Sequence, residues 1–546
     1  MKYRLVASLA ALIPFALVPF FAVHCGNGAA PDDAGLITPT STATGSGTGT
    51  GTQPPPMMEA GAPSDGGDAG DAGTPPPAGF YVPTGCQYGI TELTSRGYTN
   101  VALDDQTQPS DASGAAPVRV RVGLRGNTTK GAAGYADPTT TAAFIWETAA
   151  QTSNARVRYA LSSAGLASGA SVQTGFVYEV PMSGVGGSEG PTYFHEADVC
   201  GLTPGTTYYY QVGGGAAGQE IWSATQSFAT VPAMTATAGD AGGPILVGVF
   251  GDARDTVGTW QMVNQRMTGS GASILLISGD IVDLGIDETL FTEWLNAIWT
   301  NSTSGTGFLT LGQFIMVPIN GNHENESSQF YANFAIPGQG TYANTYASFD
   351  VGSAHFVMID DQEIGTSPSS AEAAAQLAWI ESDLAAANAD RANRPFIVAV
   401  SHRGMYSTSY HATDSDVIAA RASLAPLYDK YHVNLSMNGH DHEYERSKEL
   451  NAGSPASGPP VVVDGGTTYV INAGAGADPY PVASFAGTYR QGNATGLGNE
   501  SDAGVAGCYV LLSLEPTKMT LTAYGMESSG GSVAGDTVID TMTWGQ

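Results

Sequence analysis

The chain has 546 residues, with 20 Lys and Arg against 50 Asp and Glu, and a formal net charge of −30. This length exceeds the usual size of one domain and predicts two domains plus unstructured sequence. A surface with this negative charge repels phosphate backbones and anionic membranes. We therefore expect no binding of nucleic acid through charge. A phosphate ester would need a locally positive centre, for which metal ions are the obvious candidate.

The N-terminus has the pattern of an export signal. A positively charged start precedes an apolar run over residues 5–23. Residues 22–25 then resemble a bacterial lipobox, in which the cysteine carries the lipid, although His24 stands where a small residue is usual. We expect an exported protein that is lipid-anchored to the cell envelope through Cys25. Plain secretion, to the periplasm or beyond, and an uncleaved anchor remain the alternatives.

Residues 26–78 are mainly Gly, Ala, Pro, Thr, Ser and Asp. That composition cannot bury enough apolar surface to offset chain entropy, so it predicts a disordered tether. Beyond it, Cys86 and Cys200 both fall in the N-terminal half, and we expect them to form a disulfide. Cys508 lies in an apolar run and is expected to be a small core residue.

Residues 79–232 have short strands separated by turns, which predict an all-β sandwich. A Pro-Gly turn at residues 204–205 precedes three tyrosines, Tyr208, Tyr209 and Tyr210. This pattern resembles the corner of a fibronectin type III sandwich, where a tyrosine hydroxyl bonds to the corner backbone. A carbohydrate-binding face is the alternative interpretation of these tyrosines.

From residue 243 to residue 546 the pattern changes to strands that alternate with helices. This alternation predicts a layered α/β domain with central sheets and outer helices, whose ligands lie beyond the carboxyl ends of the strands. The predicted strands are 245–250, 274–278, 314–319, 355–359, 396–400 and 469–472, and the predicted helices are 371–388 and 417–431.

Five apolar runs in this region are each followed by a turn that carries a hard oxygen or an imidazole. A single turn of this kind is more often a loop or a helix cap. Five along one rim instead predict a site for two metal ions that share a carboxylate. The turns are Gly251-Asp252-Ala253-Arg254, Gly279-Asp280-Ile281-Val282-Asp283, Gly321-Asn322-His323-Glu324, Ser401-His402-Arg403 and Gly439-His440-Asp441-His442.

The order of these motifs resembles that of the calcineurin-like metallophosphoesterases. Tyr444-Glu445-Arg446 and the preceding fibronectin-like region make it similar to the purple acid phosphatase branch. The resemblance implies a four-layer αββα metallophosphoesterase sandwich preceded by an all-β fibronectin type III-like sandwich. It also implies a phosphatase that hydrolyses small phosphate monoesters by attack of a hydroxide bridging two metal ions, which would be Fe, Mn or Zn.

The resemblance further implies a role for individual residues. His323 would stabilise the transition state and donate a proton to the leaving oxygen. His411 would contact substrate, although an exposed loop histidine is the alternative. The first metal ion would be held by Asp252, Asp280 and His442 and the second by Asn322, His402 and His440, with Asp280 bridging the two.

Two residues depart from the family pattern. Asp283 stands where the family has an iron-binding tyrosine, so we expect a colourless protein, with Asp283 either binding a metal ion or facing solvent. Arg254 stands where the purple acid phosphatase branch has glycine. A guanidinium cannot bind a cation but can form paired hydrogen bonds with phosphate oxygens, which predicts that Arg254 binds substrate.

Two other functions fit parts of the sequence. The same metal site could cleave diesters, as a phosphodiesterase or nucleotidase does. The tether and sandwich are also compatible with a non-catalytic surface lipoprotein, although the complete set of metal-binding residue types argues against it. A serine nucleophile is weaker still, because no Gly-x-Ser-x-Gly turn stands between a strand and a helix.

Overall fold

The computed structural model describes residues 81–89, 99–102, 115–150, 152, 154–180, 192–234, 243–299, 310–324, 326–338, 345–480, 490–491, 505–527 and 533–545. The predicted export signal, including Cys25, and the predicted tether over residues 26–78 lie outside these described residues. In the described part of the chain, no helix has both the length and the apolar character needed to cross a bilayer.

The N-terminal region is a β-sandwich. One layer has the strand order β1-β6-β7-β3-β2 and the other has the order β10-β8-β4-β5, with β9 paired to β8. The strands are β1 (Thr99–Ala102), β2 (Val118–Gly123), β3 (Thr141–Thr148), β4 (Arg156–Ala160), β5 (Ser171–Thr174), β6 (Phe176–Val180), β7 (Thr192–Cys200), β8 (Thr207–Gly214), β9 (Ile221–Trp222) and β10 (Gln226–Ala229).

Aromatic residues fill the space between the two layers. The ring of Phe144 on β3 lies 4.6 Å from that of Tyr210 on β8, measured between centroids. Tyr208 and Tyr210 are both buried, which contradicts a carbohydrate-binding role for these two side chains. The Tyr208 hydroxyl accepts a hydrogen bond from the backbone N–H of Thr203 at 2.9 Å, so the predicted tyrosine corner is confirmed.

The predicted cysteine arrangement is also confirmed. Cys86 and Cys200 form a disulfide that ties the segment before the sandwich to the end of β7. Cys508 is buried, and its thiol donates to the side-chain oxygen of Asn472 at 3.3 Å.

Two sheets form the core of the region from residue 243 onward. In the first sheet, β11, β12 and β13 run parallel, and the C-terminal strands β22, β23 and β24 continue it in antiparallel fashion. These strands are β11 (Ile245–Phe250), β12 (Ile274–Ile277), β13 (Ile315–Pro318), β22 (Val505–Glu515), β23 (Lys518–Glu527) and β24 (Thr537–Gly545).

The second sheet has the order β14-β15-β16-β17-β20-β18-β19, with β21 paired to β18. Strands β15, β16, β17 and β20 are parallel. The strands are β14 (Ala347–Val351), β15 (Ala354–Met358), β16 (Phe396–Val400), β17 (Leu435–Asn438), β18 (Tyr444–Asn451), β19 (Val461–Val462), β20 (Thr467–Asn472) and β21 (Arg490–Gln491).

Alternate residues of β16 face different cores. Phe396, Val398 and Val400 belong to the core between the sheets, whereas Ile397 and Ala399 pack with α5, α6 and α7 on the outer face. A strand buried on both faces has no polar side, which is why its sequence is uninterruptedly apolar. The helices are α1 (Val257–Ser270), α2 (Glu288–Ile298), α3 (Thr310–Gln313), α4 (Ser328–Asn333), α5 (Gln362–Thr366), α6 (Ala371–Ala389) and α7 (Ser415–Tyr431).

The fold class predicted from the sequence, an αββα sandwich after an all-β sandwich, is therefore confirmed. One feature was not expected: β2 of the N-terminal sandwich pairs with β13, through Val122 and Ile315, so that the two sheets are continuous. Without β2, β13 would present unpaired backbone groups at a sheet edge. The segment after β13 also packs on the sandwich, since Arg121 Nη2 donates to the Asn333 side chain at 2.8 Å.

Candidate metal centre

The turns identified in the sequence meet at the carboxyl ends of the two sheets. The first sheet supplies carboxylates and an amide, and the second supplies imidazoles. Asp252 follows β11, Asp280 follows β12, Asn322 follows β13, His402 follows β16, and His440 and His442 follow β17.

Four of these six side chains, those of Asp252, Asp280, Asn322 and His440, directly follow a glycine, because the turns approach one another closely. A side chain at Gly321 would collide with the Asp280 carboxylate, and one at Gly439 would collide with that of Asp252. Asp252 and Asp280 themselves adopt left-handed backbone conformations, with φ of 58° and 52°. Such strained positions in non-glycine residues concentrate at functional sites.

Two groups of ligating atoms share the carboxylate of Asp280. One consists of Asp252, Asp280 and His442, and the other of Asp280, His402 and His440. Within each group the ligating atoms all lie within 4.8 Å of one another, and every residue is buried. A carboxylate common to both groups is the arrangement that two adjacent cations require.

Two of the imidazoles have a fixed tautomer. His402 Nδ1 donates to the carbonyl of Ser278 at 2.8 Å, and His442 Nδ1 donates to the carbonyl of Asp478 at 2.6 Å. Each hydrogen bond places a proton on Nδ1, so Nε2 is the nitrogen that faces the carboxylates. Metal-binding histidines are commonly oriented in this way by a backbone carbonyl.

The two buried carboxylates have opposite pKa shifts. Burial, and then the charge of Asp280, raises the pKa of Asp252 to about 8. Burial alone would also raise the pKa of Asp280, but His402, His323 and Arg254 hold it well below its usual range. Each of two close buried carboxylates disfavours ionisation of the other, so Asp252 holds a proton more tightly than Asp280 does.

The pKa values of the imidazoles also shift in opposite directions. Burial opposes the charged form of His402, but Asp280 and Asp252 raise its pKa to about 10. Burial, followed by the charge of Arg254, lowers the pKa of His442 to about 3, and burial also lowers that of His440. The centre therefore holds protons on Asp252 and His402 that a cation would displace.

Asn322 and His323 extend the second group. The Asn322 side-chain oxygen lies 2.9 Å from His402 Nε2, so an amide oxygen joins this group. His323 Nδ1 donates to the carbonyl of Asp283 at 2.7 Å, and its Nε2 lies 3.9 Å from Asp280 Oδ2. His323 is thus next to both groups, with Nε2 directed at the shared carboxylate.

His411 packs against the second group. Its ring stacks on that of His440 at a centroid distance of 4.1 Å, and Nδ1 lies 2.7 Å from Asp414 Oδ2. The side chain is 4% exposed, which excludes the alternative of an exposed loop histidine.

Arg254 and Asp283 interact directly with each other. Arg254 Nη1 donates to Asp283 Oδ1 at 2.8 Å, and the Asp283 side chain is 60% exposed. Asp283 belongs to neither group of ligating atoms within the described residues. The guanidinium also lies at the centre itself, with Nε 3.7 Å from Asp280 Oδ2.

Sequence reasoning assigned no role to Glu324 or Asp478. The buried carboxylate of Glu324 accepts hydrogen bonds from four backbone N–H groups, those of Asp280, Ile281, Val282 and Gly321. It therefore fixes the turns that carry Asp280 and Asn322. Glu324 could have been suspected from its position in the Gly-Asn-His-Glu motif, but the Asp478 carbonyl gives no signal in the sequence.

The donor set suits a pair of cations. It combines carboxylate oxygens, an amide oxygen and neutral imidazole nitrogens, which are ligands of Zn, Mn and Fe ions. The carbonyls of Ser278 and Asp478 hold the imidazoles in the tautomer that such ions need. The residues thus fit the dinuclear centre that the resemblance implies.

Comparison with known families agrees with this geometry. Residues 131–230 match the purple acid phosphatase N-terminal domain, and residues 245–444 match the calcineurin-like phosphoesterase model. Residues 245–444 thus form a calcineurin-like phosphoesterase domain. Its two matched regions follow the domain order of the purple acid phosphatases, and the second contains all six residues at the centre.

Relatives include two plant proteins. Purple acid phosphatase 15 of Arabidopsis thaliana is 30% identical over 298 residues, which cover 50% of this chain and 53% of the relative. Purple acid phosphatase 23 of the same plant is 29% identical over 323 residues, covering 52% of this chain and 65% of the relative. The chain thus spans between half and two thirds of the length of these relatives.

The fold is also that of a solved structure, the purple acid phosphatase PPD1 from yellow lupin seeds. The two share a TM-score of 0.59 at 17% sequence identity, covering 79% of this chain and 74% of the lupin chain. At this level of identity the likeness establishes the fold.

Proposed function

We propose that this calcineurin-like phosphoesterase is a dinuclear-metal phosphatase that hydrolyses small phosphate monoesters. The observation that carries the proposal is the Asp280 carboxylate, which belongs to two groups of ligating atoms at once. One cation would be held by Asp252, Asp280 and His442, and the other by Asp280, Asn322, His402 and His440. When bound, two such cations neutralise phosphate oxygens and make a water molecule acidic enough to attack at neutral pH.

His323 is positioned to protonate the leaving oxygen. Its Nδ1–H is fixed on the carbonyl of Asp283, so Nε2 is the nitrogen that faces the centre. In the cationic form, Nε2–H first stabilises charge on the phosphoryl group and then gives its proton to the departing alkoxide. The product alcohol leaves neutral, and His323 is left as a neutral imidazole.

Arg254 and His411 would contribute to substrate binding. Arg254 is a cation beside the centre in a protein whose overall charge is strongly negative, and a guanidinium pairs well with phosphate oxygens. His411 contacts the proposed second-site ligand His440 and is held by Asp414. We infer that it limits the space available to the ester group.

Paired assays test this function. Protein stripped with a chelator should lose hydrolysis of a nitrophenyl monoester and regain it on addition of Mn or Zn ions, with the monoester cleaved faster than a bis-nitrophenyl diester. Asp280→Asn should lower kcat by at least a hundredfold, and the matched change at the exposed turn residue Asp464, Asp464→Asn, should have no effect. Activity that survives full chelation in folded protein would contradict the proposal. Faster cleavage of the diester than of the monoester would show instead that the protein is a phosphodiesterase.

We also propose export, with a lipid anchor on Cys25. The Cys86–Cys200 disulfide supports export, because such bonds persist in oxidising compartments. When the full chain is expressed in cells, the protein should be found in the membrane fraction and should carry labelled palmitate. Cys25→Ser should abolish the label and release the protein, whereas unchanged fractionation would contradict the anchor.

A further inference from the structure

Arg254 makes a hydrogen bond that a cation in the first group would have to replace. Its Nη2–H donates to His442 Nε2 at a distance of 3.4 Å. His442 Nδ1 already carries a proton, which it donates to the Asp478 carbonyl at 2.6 Å. The only lone pair on this imidazole is therefore the one that Arg254 uses, and a metal ion needs the same lone pair.

The charge of Arg254 also disfavours binding of a cation in the first group. Its Nε lies 3.7 Å from Asp280 Oδ2, so the guanidinium partly neutralises the carboxylate that both groups share. The side chain is only 9% exposed, which limits screening by water. A cation entering the first group would meet a fixed positive charge at close range.

Arg254 has less effect on the second group of ligating atoms. Arg254 is in contact with His442 and Asp280 but has no hydrogen bond to Asn322, His402 or His440 among the described residues. His402 Nε2 instead faces Asp280 Oδ1 at 3.3 Å and the Asn322 amide oxygen at 2.9 Å. Among the described residues, a competing guanidinium is thus in contact with the first group and makes no hydrogen bond to the imidazoles or the amide of the second.

Asp283 gives Arg254 a partner outside the first group, at the same time as Arg254 contacts His442. Its exposed carboxylate accepts from Arg254 Nη1 at 2.8 Å, and Asp255 Oδ2 lies 3.6 Å from the same nitrogen. Both carboxylates can retain the guanidinium when it leaves His442. Arg254 and Asp283 therefore form one interacting pair at the edge of the first group.

We propose that Arg254 competes with the cation of the first group for His442, so that the two metal sites differ in affinity. The site formed by Asp280, Asn322, His402 and His440 binds tightly, and the site formed by Asp252, Asp280 and His442 binds weakly and exchangeably. Asp283 acts by drawing Arg254 away. This inference rests on the proposed dinuclear centre but concerns metal affinity, which is measured without substrate.

Calorimetric titration of the chelator-stripped full chain with Mn²⁺ tests the proposal. We expect one tight and one weak site per chain, and Arg254→Met should strengthen the weak site at least tenfold while leaving the tight site unchanged. Methionine keeps an unbranched, largely apolar side chain, removes the charge and is a poor ligand for a hard cation. Arg254→Lys should stay within threefold of the wild type, and Arg156→Met, on strand β4 of the sandwich, serves as the matched control.

A double-mutant cycle separates the two roles open to Asp283. If it acts through Arg254, Asp283→Asn weakens the first site at least threefold in the wild type and has no effect in Arg254→Met. If Asp283 binds the metal ion itself, the loss is the same in both backgrounds, and the proposed role of Asp283 is wrong. His442→Ala should remove the weak site and His440→Ala the tight one.

Two outcomes would overturn the inference while the proposed function stands. These are two Mn²⁺ ions bound with equal affinity by the wild type, or an unchanged weak site in folded Arg254→Met. Absence of any Mn²⁺ binding beyond that of Asp280→Asn would instead contradict the proposed function.

Discussion

The carboxylate of Glu324 accepts a hydrogen bond from the backbone N–H of Asp280, at 2.9 Å. The same carboxylate accepts from Ile281, Val282 and Gly321, so one buried side chain joins the turns after β12 and β13. The spacing between Asp280 and Asn322 thus depends on Glu324 rather than on either ligand alone.

Glu324→Gln should destabilise the protein and weaken its metal binding. The glutamine amide can accept through its oxygen, but its NH₂ group would face N–H donors that then lack an acceptor. Each such buried N–H costs about 1–3 kcal/mol in the free energy of unfolding. Urea unfolding and Mn²⁺ titration measure the two effects, and Glu293→Gln, on the exposed face of α2, is the control. A Glu324→Gln protein as stable as the wild type would contradict this role.

Metal uptake should strengthen as the pH rises toward about 8. The raised pKa of Asp252, about 8, means that this carboxyl is protonated below that pH when no cation is bound. A cation requires the carboxylate and must displace the proton, so affinity is lost as the pH falls. Calorimetry at pH 6, 7 and 8, in buffers of different ionisation enthalpy, measures both the affinity and the protons released. Affinity independent of pH, without proton release, would contradict the protonated state of Asp252.

A second prediction concerning pH involves His355, which lies outside the metal centre. Its Nδ1 and Nε2 face Asp350 and Asp383 at 2.7 and 2.8 Å, and Lys130 and Arg394 approach Asp350 from other elements. Burial opposes the charged form, but the two carboxylates raise the pKa of His355.

Because the folded-state pKa is raised, the charged histidine stabilises the fold fully below its ordinary pKa of about 6.5. That stabilisation is lost as the pH rises through the raised value. The difference in free energy of unfolding between the wild type and His355→Gln should therefore shrink as the pH rises above about 6.5 and through the raised pKa. A difference that stays constant over this range would show that His355 is neutral when folded.

Loss of the disulfide should affect stability and leave metal binding intact. Cys86 and Cys200 are 114 residues apart, and closing so long a loop stabilises the fold by about 4–5 kcal/mol. The double variant Cys86→Ser/Cys200→Ser should unfold at a lower temperature, and dithiothreitol should have no further effect on it. Its Mn²⁺ affinity should stay within twofold of the wild type, and a larger loss would mean that the disulfide supports the centre.

Much of the architecture could be predicted from local patterns. β11 and β16 begin and end where their apolar runs do, because both faces of these strands are buried. The six proposed ligands could be selected because each follows such a run and the carboxyl ends of parallel strands meet at one edge. A purely local pattern was therefore sufficient to find side chains that the structure brings together.

Contacts between distant segments could not be predicted in this way. The pairing of β2 with β13 rests on a single register match, Val122 with Ile315, which leaves no trace in either strand's sequence. The sequence predicts a phosphate-binding role for Arg254 and either metal binding or solvent exposure for Asp283. The hydrogen bond between them becomes visible only once the turns after β11 and β12 are adjacent.

Anomalous diffraction from crystals of the protein grown in excess Mn²⁺ shows directly whether two cations share the Asp280 carboxylate. We expect two anomalous peaks per chain on either side of the Asp280 carboxylate, one beside Asp252 and His442 and the other beside His402 and His440. A single peak, or two peaks of which one has no contact with Asp280, would contradict this sharing.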